Sequence, residues 1–445
     1  MKEGINSLEE QTKSMAKKFL ETTENKEILI ISHFDTDGIT SASIMIKTLK
    51  KLDKRFSIKI KKSLEEQFIY DLPKDKIILF LDLASNSLSH ITNAKLNNVF
   101  IIDHHEVTQV VPENISIINP ELNGKEKISG AGLTYLFCKE ILPENKECAK
   151  LAVLGMIGDC LEKNIDKLNN GILNDSEIKK RRGVLIYPST RPLNRALEFC
   201  SNPYVPGVTG NIKGVLEMLR EINLNPTSKG YPSLIELNEE EMQKLVTAIM
   251  LRKPKARNQQ IIGDIFLLKF FNKLEDAREM SAMINACSKL EKPEIAIQLC
   301  MEIPKAKKKA EAVHAKYKQH LISGLRFAEK MEKIQGKNFI IINAKENIRD
   351  TMIGTIISIL SNSSVYEEGT IIFGMAYCED KIKISSRCCG EGTRNLREIL
   401  SDIIEKTEGE TGGHEFAAGA IISKEKENEF IDLLKKTLEL EVVKI

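Results

Sequence analysis

The stretch 28–38 constrains the fold of this chain more than any other part of the sequence. It begins with four apolar residues, enough for a short buried strand, and then changes abruptly to polar residues. His33, Asp35 and Asp37 occupy alternate positions, and Gly38 follows them directly. Alternate side chains of an extended segment point to the same side, so the sequence predicts that these three side chains converge.

Two interpretations of this motif are open. An imidazole and two carboxylates in one crevice suit a divalent cation such as Mn²⁺ or Mg²⁺. The alternative is a turn in which Asp35 and Asp37 cap backbone amides while His33 packs beside a sheet. In either case a helical pattern follows up to Lys51, and Thr40 is its predicted N-cap.

Strand-like runs alternate with helical patterns through the first part of the chain. The runs occupy residues 27–33, 57–61, 76–83, 98–103 and 115–118. This alternation predicts an α/β fold with a doubly wound parallel sheet. One run leads into Asp82, and another leads into Asp103, His104 and His105. Because the carboxyl ends of parallel strands meet at one edge of a sheet, we expect these side chains to share a crevice with the first motif.

A fourth apolar segment, 148–157, is typical of a buried helix and is followed by Gly158 and Asp159. Taken alone, Asp159 is typical of a turn residue at the end of a helix. Taken together, four apolar segments each end in Asp or His, and this composition predicts a site for two metal ions. Two such ions can activate a water molecule and neutralise charge on a phosphoryl group.

Charge and cysteine content exclude several classes of protein. The 65 Lys and Arg residues nearly balance the 63 Asp and Glu residues, so any nucleic-acid surface must be a local patch. The nine cysteines include no CxxC pair, which argues against a disulfide framework and a zinc site. No apolar run approaches about 18 residues, so we expect a soluble, cytoplasmic protein that does not enter a membrane.

Four motifs resemble, in order and spacing, those of the DHH phosphoesterases: His33-x-Asp35-x-Asp37-Gly38, Asp82, Asp103-His104-His105 and Gly158-Asp159. The segment 411–419, which contains Gly412, Gly413 and His414, resembles the GGH motif of the associated DHHA1 domain. The first motif and the length of the chain are most similar to the archaeal RecJ-type single-strand exonucleases.

The resemblance implies a role for each motif residue. It implies two ions, Mn²⁺ or Mg²⁺, with ligands at Asp35, Asp37, Asp82, His104 and Asp159. His33 departs from bacterial RecJ proteins, which tend to carry Asp there, and is expected as a further ligand. His105 is expected to touch the scissile phosphate, and Asp103 either orients His104 or caps the strand end. Catalytic roles are thus expected for His105, Asp37 and Asp103.

Three domains are expected. Residues 1–205 would form the DHH catalytic domain, 206–335 a helical middle region ending in a long connecting helix, and 336–445 the DHHA1 domain. Residues 161–182, with a basic run at 179–182, are expected to form an exposed loop or short helix. In the segment 187–207, Arg191, Arg195 and Tyr204 would either line a single-strand path or belong to an ordinary linker.

The last domain is expected to bind substrate. A strand at 338–342, a helix at 351–360, a hairpin of 369–377 with 381–386 and a helix at 396–405 precede a Gly412-Gly413-His414 loop. Adjacent glycines let backbone amides approach a phosphate closely, and an arginine supplies a planar fork for it. The predicted substrate-binding residues are Ser386, Arg387, Gly412, Gly413 and His414.

These expectations point to a metal-dependent hydrolase, a phosphodiesterase that degrades single-stranded DNA or RNA from an end, in DNA replication or repair. The strand would lie in a groove between domains, and replication or repair proteins are possible partners. Three alternatives stay open. They are a phosphodiesterase for short oligonucleotides or cyclic dinucleotides, a metal-dependent pyrophosphatase, and a non-catalytic replication scaffold on the same fold. Cleavage polarity and the choice between DNA and RNA do not follow from the sequence.

Overall fold

The computed structural model describes residues 7–124, 126–200, 203, 205–252, 261–363, 365–390 and 394–441. The chain divides into two compact units, Met1–His314 and Ala315–Ile445. Among the helices that the structure describes, none is both long enough and apolar enough to cross a membrane.

A five-stranded parallel sheet forms the centre of the first unit, as the alternating pattern predicted. Its strands lie in the order β2-β1-β3-β4-β5. They are β1 (Ile28–His33), β2 (Phe56–Lys61), β3 (Ile77–Leu81), β4 (Val99–Ile102) and β5 (Ile115–Ile118). Every residue of β3 and β4 is buried. Strands of a parallel sheet read as continuous apolar runs because helices cover both of its faces.

The helices of this unit lie on both faces of the sheet. They are α1 (Leu8–Thr22), α2 (Thr36–Lys51), α3 (Glu66–Tyr70), α4 (Leu88–Asn93), α5 (Gly130–Ile141), α6 (Ala149–Gly158) and α7 (Lys167–Asp175). One buried cluster joins α1, α2, α5 and α6 to the sheet, and a second joins α3 and α4 to the other face. The doubly wound architecture is thereby confirmed.

Helix α2 begins at Thr36, four residues earlier than predicted. Its N-cap is Asp35, whose side chain accepts a hydrogen bond from the Gly38 amide at 3.0 Å. The Thr40 hydroxyl instead donates back to the Thr36 carbonyl inside the helix, at 2.8 Å. Thr40 is therefore not the cap, because the aspartate upstream already satisfies a free amide of the first turn. Asp37 consequently lies in a helix and not in an extended segment.

The middle of the chain contains more strand than predicted. The run expected as loop or short helix forms α7 and then β6 (Lys179–Val184), which pairs with β7 (Ile262–Phe270). β7 pairs in turn with β8 (Lys273–Asp276), so a three-stranded sheet interrupts a middle region that is otherwise mostly helical, as predicted. The basic residues of β6 are accommodated because partners neutralise them, such as Asp264 at 2.7 Å from Lys180.

Helices surround this three-stranded sheet and continue the chain. They are α8 (Leu193–Glu198), α9 (Ile212–Glu221), α10 (Glu239–Arg252), α11 (Ala277–Lys289), α12 (Pro293–Cys300) and α13 (Ala306–Lys330). A separate buried cluster joins α8, α9 and α10 to β6 and β7. Helix α11 returns to the first sheet, where the Ser281 carbonyl accepts a hydrogen bond from the Thr36 hydroxyl at 3.2 Å.

The second unit is built on a six-stranded sheet in the order β13-β14-β12-β11-β10-β9. The strands are β9 (Ile334–Gly336), β10 (Phe339–Asn343), β11 (Ile371–Cys378), β12 (Lys381–Cys388), β13 (Gly409–His414) and β14 (Ala417–Ser423). The helices are α14 (Asp350–Ser361), α15 (Leu396–Thr407) and α16 (Glu427–Glu441). One face of the sheet packs on α15 and α16. On the other face Gly354 of α14 lies against Ser385 of β12.

Candidate metal centre and substrate-binding face

Side chains from three strand ends and one helix end meet in a single crevice of the first unit. Three groups of residues have potential ligand atoms within 4.8 Å of one another. The groups are His33, Asp35 and Asp82; Asp37, His104 and Asp159; and Asp82, His104 and His105. The structure thus brings together all six residues that the sequence predicted as metal ligands.

Asp82 lies at the centre of this arrangement. One carboxylate oxygen is 3.4 Å from His33 Nδ1, and the other is 3.3 Å from His104 Nε2. The side chain is 1 % exposed, and neither oxygen accepts a hydrogen bond from a described residue. Its backbone has a φ of 58°, a left-handed conformation that costs about 1–2 kcal/mol in a non-glycine residue. A buried carboxylate with both oxygens free is a position that needs a ligand.

The second group is held by a helix that the sequence did not connect to the motif. Asp37 accepts hydrogen bonds from the Gly130 and Ala131 amides, at 2.5 and 2.9 Å, in the first turn of α5. The positive end of a helix stabilises a carboxylate there. His104 Nε2 lies 3.7 Å from Asp37 and 3.5 Å from Asp159. The sequence signal was the small-residue helix start after Ser129, which is its N-cap.

Close approach in the crevice depends on two glycines. A Cβ atom at Gly155 of α6 would lie 2.3 Å from an oxygen of Asp37, and one at Gly130 would lie 2.8 Å from an oxygen of Asp82. Such distances cannot exist without moving the carboxylates. Gly130 and Gly155 are therefore required by the geometry of the centre, although neither offers it a ligand.

The concentration of carboxylates shifts the proton affinities of the crevice. Burial, and then the charges of Asp37 and Asp35, raise the pKa of Asp82 well above its usual range. Burial disfavours protonation of His33, but the charges of Asp35 and Asp82 outweigh it and raise the His33 pKa. In Asp159, burial raises the pKa, with Asp37 as a further cause. The crevice holds excess negative charge that a bound cation would neutralise.

The donor atoms fit a hard or borderline divalent ion. All are carboxylate oxygens or imidazole nitrogens, which suit Mn²⁺ or Mg²⁺ better than thiolate-preferring metals. Asp159 also has a buried oxygen without a hydrogen-bond partner among the described residues. Unsatisfied buried oxygens of this kind are rare in proteins and indicate a missing counterpart.

Asp103 and His105 form a pair beside the crevice; of the two expected roles of Asp103, orienting His104 or capping the strand end, the structure favours the second. The Asp103 carboxylate lies 2.7 Å from His105 Nδ1, whereas it reaches His104 only through the backbone amide, at 2.8 Å. Asp103 therefore orients His105 and not His104, because the tight turn after β4 directs the second histidine ring back to it. Burial alone would lower the pKa of His105, but Asp103 raises it. The His105 side chain is 47 % exposed.

The predicted substrate-binding residues lie at one end of the second sheet. Arg387 pairs with Ala417, and Ala417 pairs with His414, so the three occupy one row across β12, β14 and β13. Gly412 and Gly413 are exposed but belong to strand β13 and not to a loop, because β14 pairs with them throughout. Gly413 has a φ of 119°, which favours glycine. The His414 side chain lies outside the described residues.

Ser386 is not at this surface. It is fully buried, and its hydroxyl donates to the Ala418 carbonyl at 3.0 Å, so the predicted contact with substrate is wrong. Alternation along the strand places Ser385, and not Ser386, on the face that carries Arg387. Ser385 is itself buried, at 7 % exposure, and lies against Gly354 of α14.

The arginines of the middle segment are engaged in ion pairs. Arg191 contacts Glu279 at 3.3 Å and Glu311 at 2.9 Å. Arg195 contacts Glu198 at 2.9 Å. Tyr204 lies outside the described residues. These contacts favour the structural interpretation of the segment over a single-strand path.

Three families match this chain. The DHH family N-terminal domain matches residues 27–156, the DHH-CID domain residues 186–260 and the DHHA1 domain residues 336–440. The sequence analysis did not anticipate the DHH-CID segment.

Two relatives illustrate the range of sequence similarity. The uncharacterized protein MJ0831 of Methanocaldococcus jannaschii is 27% identical over 97% of both chains. The single-stranded-DNA-specific exonuclease RecJ of Bacillus subtilis is 25% identical over 152 residues, which are 31% of this chain and 19% of RecJ. The second match therefore spans about a fifth of that relative.

Solved structures share the fold over almost the whole chain. Exonuclease RecJ bound to manganese has a TM-score of 0.59 at 16% identity, with 98% of this chain and 95% of that chain covered. CDC45 of Entamoeba histolytica has a TM-score of 0.66 at 11% identity, with 95% and 98% covered. At these identities the likeness concerns the fold alone. The chain therefore contains a DHH domain and a DHHA1 domain, and RecJ proteins are among its relatives in sequence and fold.

Proposed function

We propose that this protein is a metal-dependent phosphodiesterase that hydrolyses single-stranded nucleic acid from an end. The observation that carries the proposal is Asp82, whose two free oxygens each approach a different histidine. A carboxylate placed in this way can be shared by two neighbouring ions. Two neighbouring ions stabilise both the attacking and the leaving oxygen of an in-line displacement at phosphorus, as they do in nucleases and phosphatases.

The chain offers two sets of ligands around Asp82. One ion would be held by His33, Asp35 and Asp82, and the other by Asp82 with Asp37, His104 and Asp159. Divalent ions bound there supply Lewis acidity and lower the pKa of an attacking water. We assign Mn²⁺ as the first choice and Mg²⁺ as the second, since imidazole and carboxylate ligands together suit manganese.

His105 is proposed to contact the phosphate. Its Nδ1 is occupied by Asp103 at 2.7 Å, which leaves Nε2 available, and half of its side chain is exposed. Burial lowers the His105 pKa, but Asp103 outweighs it and raises the pKa, which favours the protonated ring; a protonated Nε2 can donate to a phosphate oxygen. Asp103 thereby acts as a positioning residue for His105. Asp37 is the third residue with a proposed catalytic role: it would hold a metal ion while the Gly130 and Ala131 amides fix its carboxylate.

The substrate is assigned from the second unit and from the relatives. Arg387 is half-buried and has no acidic partner among the described residues, so it can accept a phosphate as its counter-charge. Gly412 and Gly413 expose backbone beside it. RecJ of Bacillus subtilis is a single-stranded-DNA-specific exonuclease by name, and we extend that substrate class to this protein. A role in replication or repair in the cytoplasm, with protein partners from those processes, follows as part of the proposal.

The test combines metal binding with strand cleavage. Purified protein is titrated with Mn²⁺ by calorimetry, which is expected to give two sites in the wild type and fewer in the variant D82N. Strands of 3 to about 30 nucleotides, labelled at the 5′ or the 3′ end, are then incubated with Mn²⁺. Stepwise shortening of long strands from one end supports the proposal and gives the polarity.

Other outcomes select the alternatives. Cleavage confined to the shortest strands or to a cyclic dinucleotide indicates the small-substrate phosphodiesterase. Release of phosphate from pyrophosphate alone indicates a pyrophosphatase. Tight strand binding without cleavage under any divalent ion indicates the scaffold.

A further inference from the structure

One face of the second sheet carries two cations that lack an ion pair: Arg387 has no carboxylate nearby, and Lys383 has Asp350 and Glu410 nearby without pairing with either. Alternation along β12 places Lys383, Ser385 and Arg387 on the same face, opposite to the buried Ile382 and Ile384. Lys383 and Arg387 are both half-buried. Neither forms an ion pair with a described residue, and Arg387 donates only to the Ser386 carbonyl, at 2.7 Å.

The pKa values of these two cations are shifted in the direction expected for buried cations without an ion pair. Burial lowers the pKa of Arg387, and no nearby carboxylate opposes the effect. Burial also lowers the pKa of Lys383, although Asp350 and Glu410 are close enough to oppose it partly. A half-buried cation without a partner costs free energy unless an anion is supplied from outside. Arg191, with its two glutamates, is the compensated case in the same chain.

The surface beyond the two cations is exposed over β13, whereas Ser385 between them is buried beneath α14. Strand register places Gly419 and Gly412 in the row of Ser385, and a Cβ atom at Gly412 would meet nothing within 4 Å. Helix α14 touches this face at Ser385 through Gly354, and the face over β13 and β14 is partly exposed. The floor is therefore backbone and small side chains, with the cations along one side.

Lys383 and Arg387 are too far apart to contact the same phosphate group. Lys383 and Arg387 are four residues apart on one strand, which places their Cα atoms about 13 Å apart. Side chains of a strand stand roughly perpendicular to the sheet, so the two charged groups do not converge. One phosphate group is too small to contact both of them directly.

We infer that Lys383 binds a second backbone phosphate of a single-stranded nucleic acid, one that lies further along the strand than the phosphate bound at Arg387. The inference rests on the proposed function and deepens it. It makes the face of β12, β14 and β13 a track for at least two phosphates. The glycine floor lets the sugar-phosphate chain lie close to the sheet, and the track does not read base identity.

The test is the salt dependence of strand binding by the full chain. Affinity for a 20-nucleotide strand is measured between 50 and 200 mM salt, with Ca²⁺ in place of Mn²⁺ to suppress turnover. Each phosphate neutralised on a single strand contributes about 0.7 to the slope of log K against log salt. K383Q is expected to weaken binding roughly 5- to 10-fold at low salt and to reduce the slope by about 0.7. The double variant K383Q/R387Q is expected to lose about 1.4.

Matched variants make the result specific. K383R keeps the charge and is expected to keep the slope. K406Q removes an exposed lysine from α15, which packs on the opposite face, and is expected to change nothing. K383M removes the charge but retains an apolar side chain of similar length. An equal loss of slope in K383Q and K383M therefore reports the lost charge and not lost packing of the side chain. Circular dichroism melting checks that all variants fold.

Several results would overturn the inference separately from the proposed function. If K383Q keeps the wild-type slope while R387Q reduces it, Lys383 binds no phosphate and the proposed function is untouched. If the double variant loses only about 0.7, the two residues share one phosphate. If the wild type binds no single strand at all, the proposed function fails and the inference fails with it.

Discussion

The metal centre and the cationic face of β12 carry opposite charges for the same physical reason. In the centre, Asp82 keeps two buried oxygens without a donor among the described residues. On the face, half-buried Arg387 has no acidic partner among the described residues, and half-buried Lys383 has Asp350 and Glu410 nearby but forms no ion pair with them. Elsewhere the chain neutralises such groups, as it does for Arg191. The contrast teaches that uncompensated charge marks places where a ligand completes the structure, and that its sign indicates the ligand: a cation for the centre, phosphate for the face.

The variant with the largest expected effect tests the metal centre at Asp82. Replacing Asp82 with Ala removes the shared ligand and should reduce turnover by more than about 10³-fold, since the ions contribute several kcal/mol to the transition state. Calorimetry should show weaker Mn²⁺ binding in the same variant. Asp71→Ala, at an exposed position after α3, is the matched control and should retain both properties. Near-normal Mn²⁺-dependent turnover in D82A would end the two-metal interpretation.

A second prediction tests the glycines that shape the centre. Gly155→Ala places a methyl group 2.3 Å from an oxygen of Asp37 if nothing moves, so the carboxylate must shift. We expect Mn²⁺ affinity to fall by about 10- to 100-fold, as it does when residues that orient ligands are lost. Calorimetry measures the affinity and circular dichroism the fold.

Gly171→Ala is the matched control for that variant. Gly171 lies inside α7, where a Cβ atom meets nothing within 4 Å. This change should raise the free energy of unfolding by up to about 1 kcal/mol through helix propensity. Equal Mn²⁺ affinities in the two variants would show that close packing against Asp37 is unimportant.

The two adjacent histidines sharpen the distinction between binding a metal and binding a phosphate. His104→Ala should lower metal occupancy, because His104 faces Asp37, Asp82 and Asp159. His105→Ala should leave the metal bound and reduce kcat by about 10²-fold, the size of effect typical of a lost proton donor. Direct metal analysis with single-turnover kinetics separates the two. Equal loss of metal in both variants would assign His105 to the metal instead.

The smallest expected effect compares an uncompensated cation with a compensated one. Arg387→Gln should weaken strand binding by about 1–3 kcal/mol, the contribution of a charge-assisted hydrogen bond, with little loss of stability. Arg191→Gln should spare strand binding but destabilise the fold by about 1–3 kcal/mol, because Glu279 is 8 % exposed and loses its partner. Chemical denaturation and strand titration measure both properties. The opposite pattern would refute the contrast between the two classes of cation.

Much of the fold followed from the sequence because apolar runs and turn residues act locally. The five strands of the first sheet and the fold class were predicted from such runs. Contacts over long distances were not predictable in this way. Nothing near Asp37 in sequence announces that the Gly130 and Ala131 amides, more than 90 residues later, bind its carboxylate. The strand at Gly412 was missed because a pair of glycines favours a loop locally, and only β14 supplies the pairing.

The candidate site also combines features that were predictable from the sequence with contacts that were not. Motif order predicted which residues meet, but not how they are held: Thr40 was favoured over Asp35 as the cap, and His104 over His105 as the partner of Asp103. Both outcomes depend on the backbone conformation of the turns that follow β1 and β4, which the residue types alone do not specify. The choice of Ser386 was avoidable, since the alternation of β12 was visible in the sequence and places Ser386 on the face opposite to Arg387.

The hydrogen bond from Thr36 to Ser281 joins the crevice to a part of the chain that is synthesised much later. Thr36 lies between Asp35 and Asp37, yet its acceptor is made 245 residues later. At about 5–20 residues per second, the ribosome needs roughly 12–50 s to reach it. Until then α11 cannot pack beside these residues, and one wall of the crevice is absent. A fragment that ends before α11 would therefore contain all six candidate metal ligands, the last of them Asp159, but not this wall of the crevice.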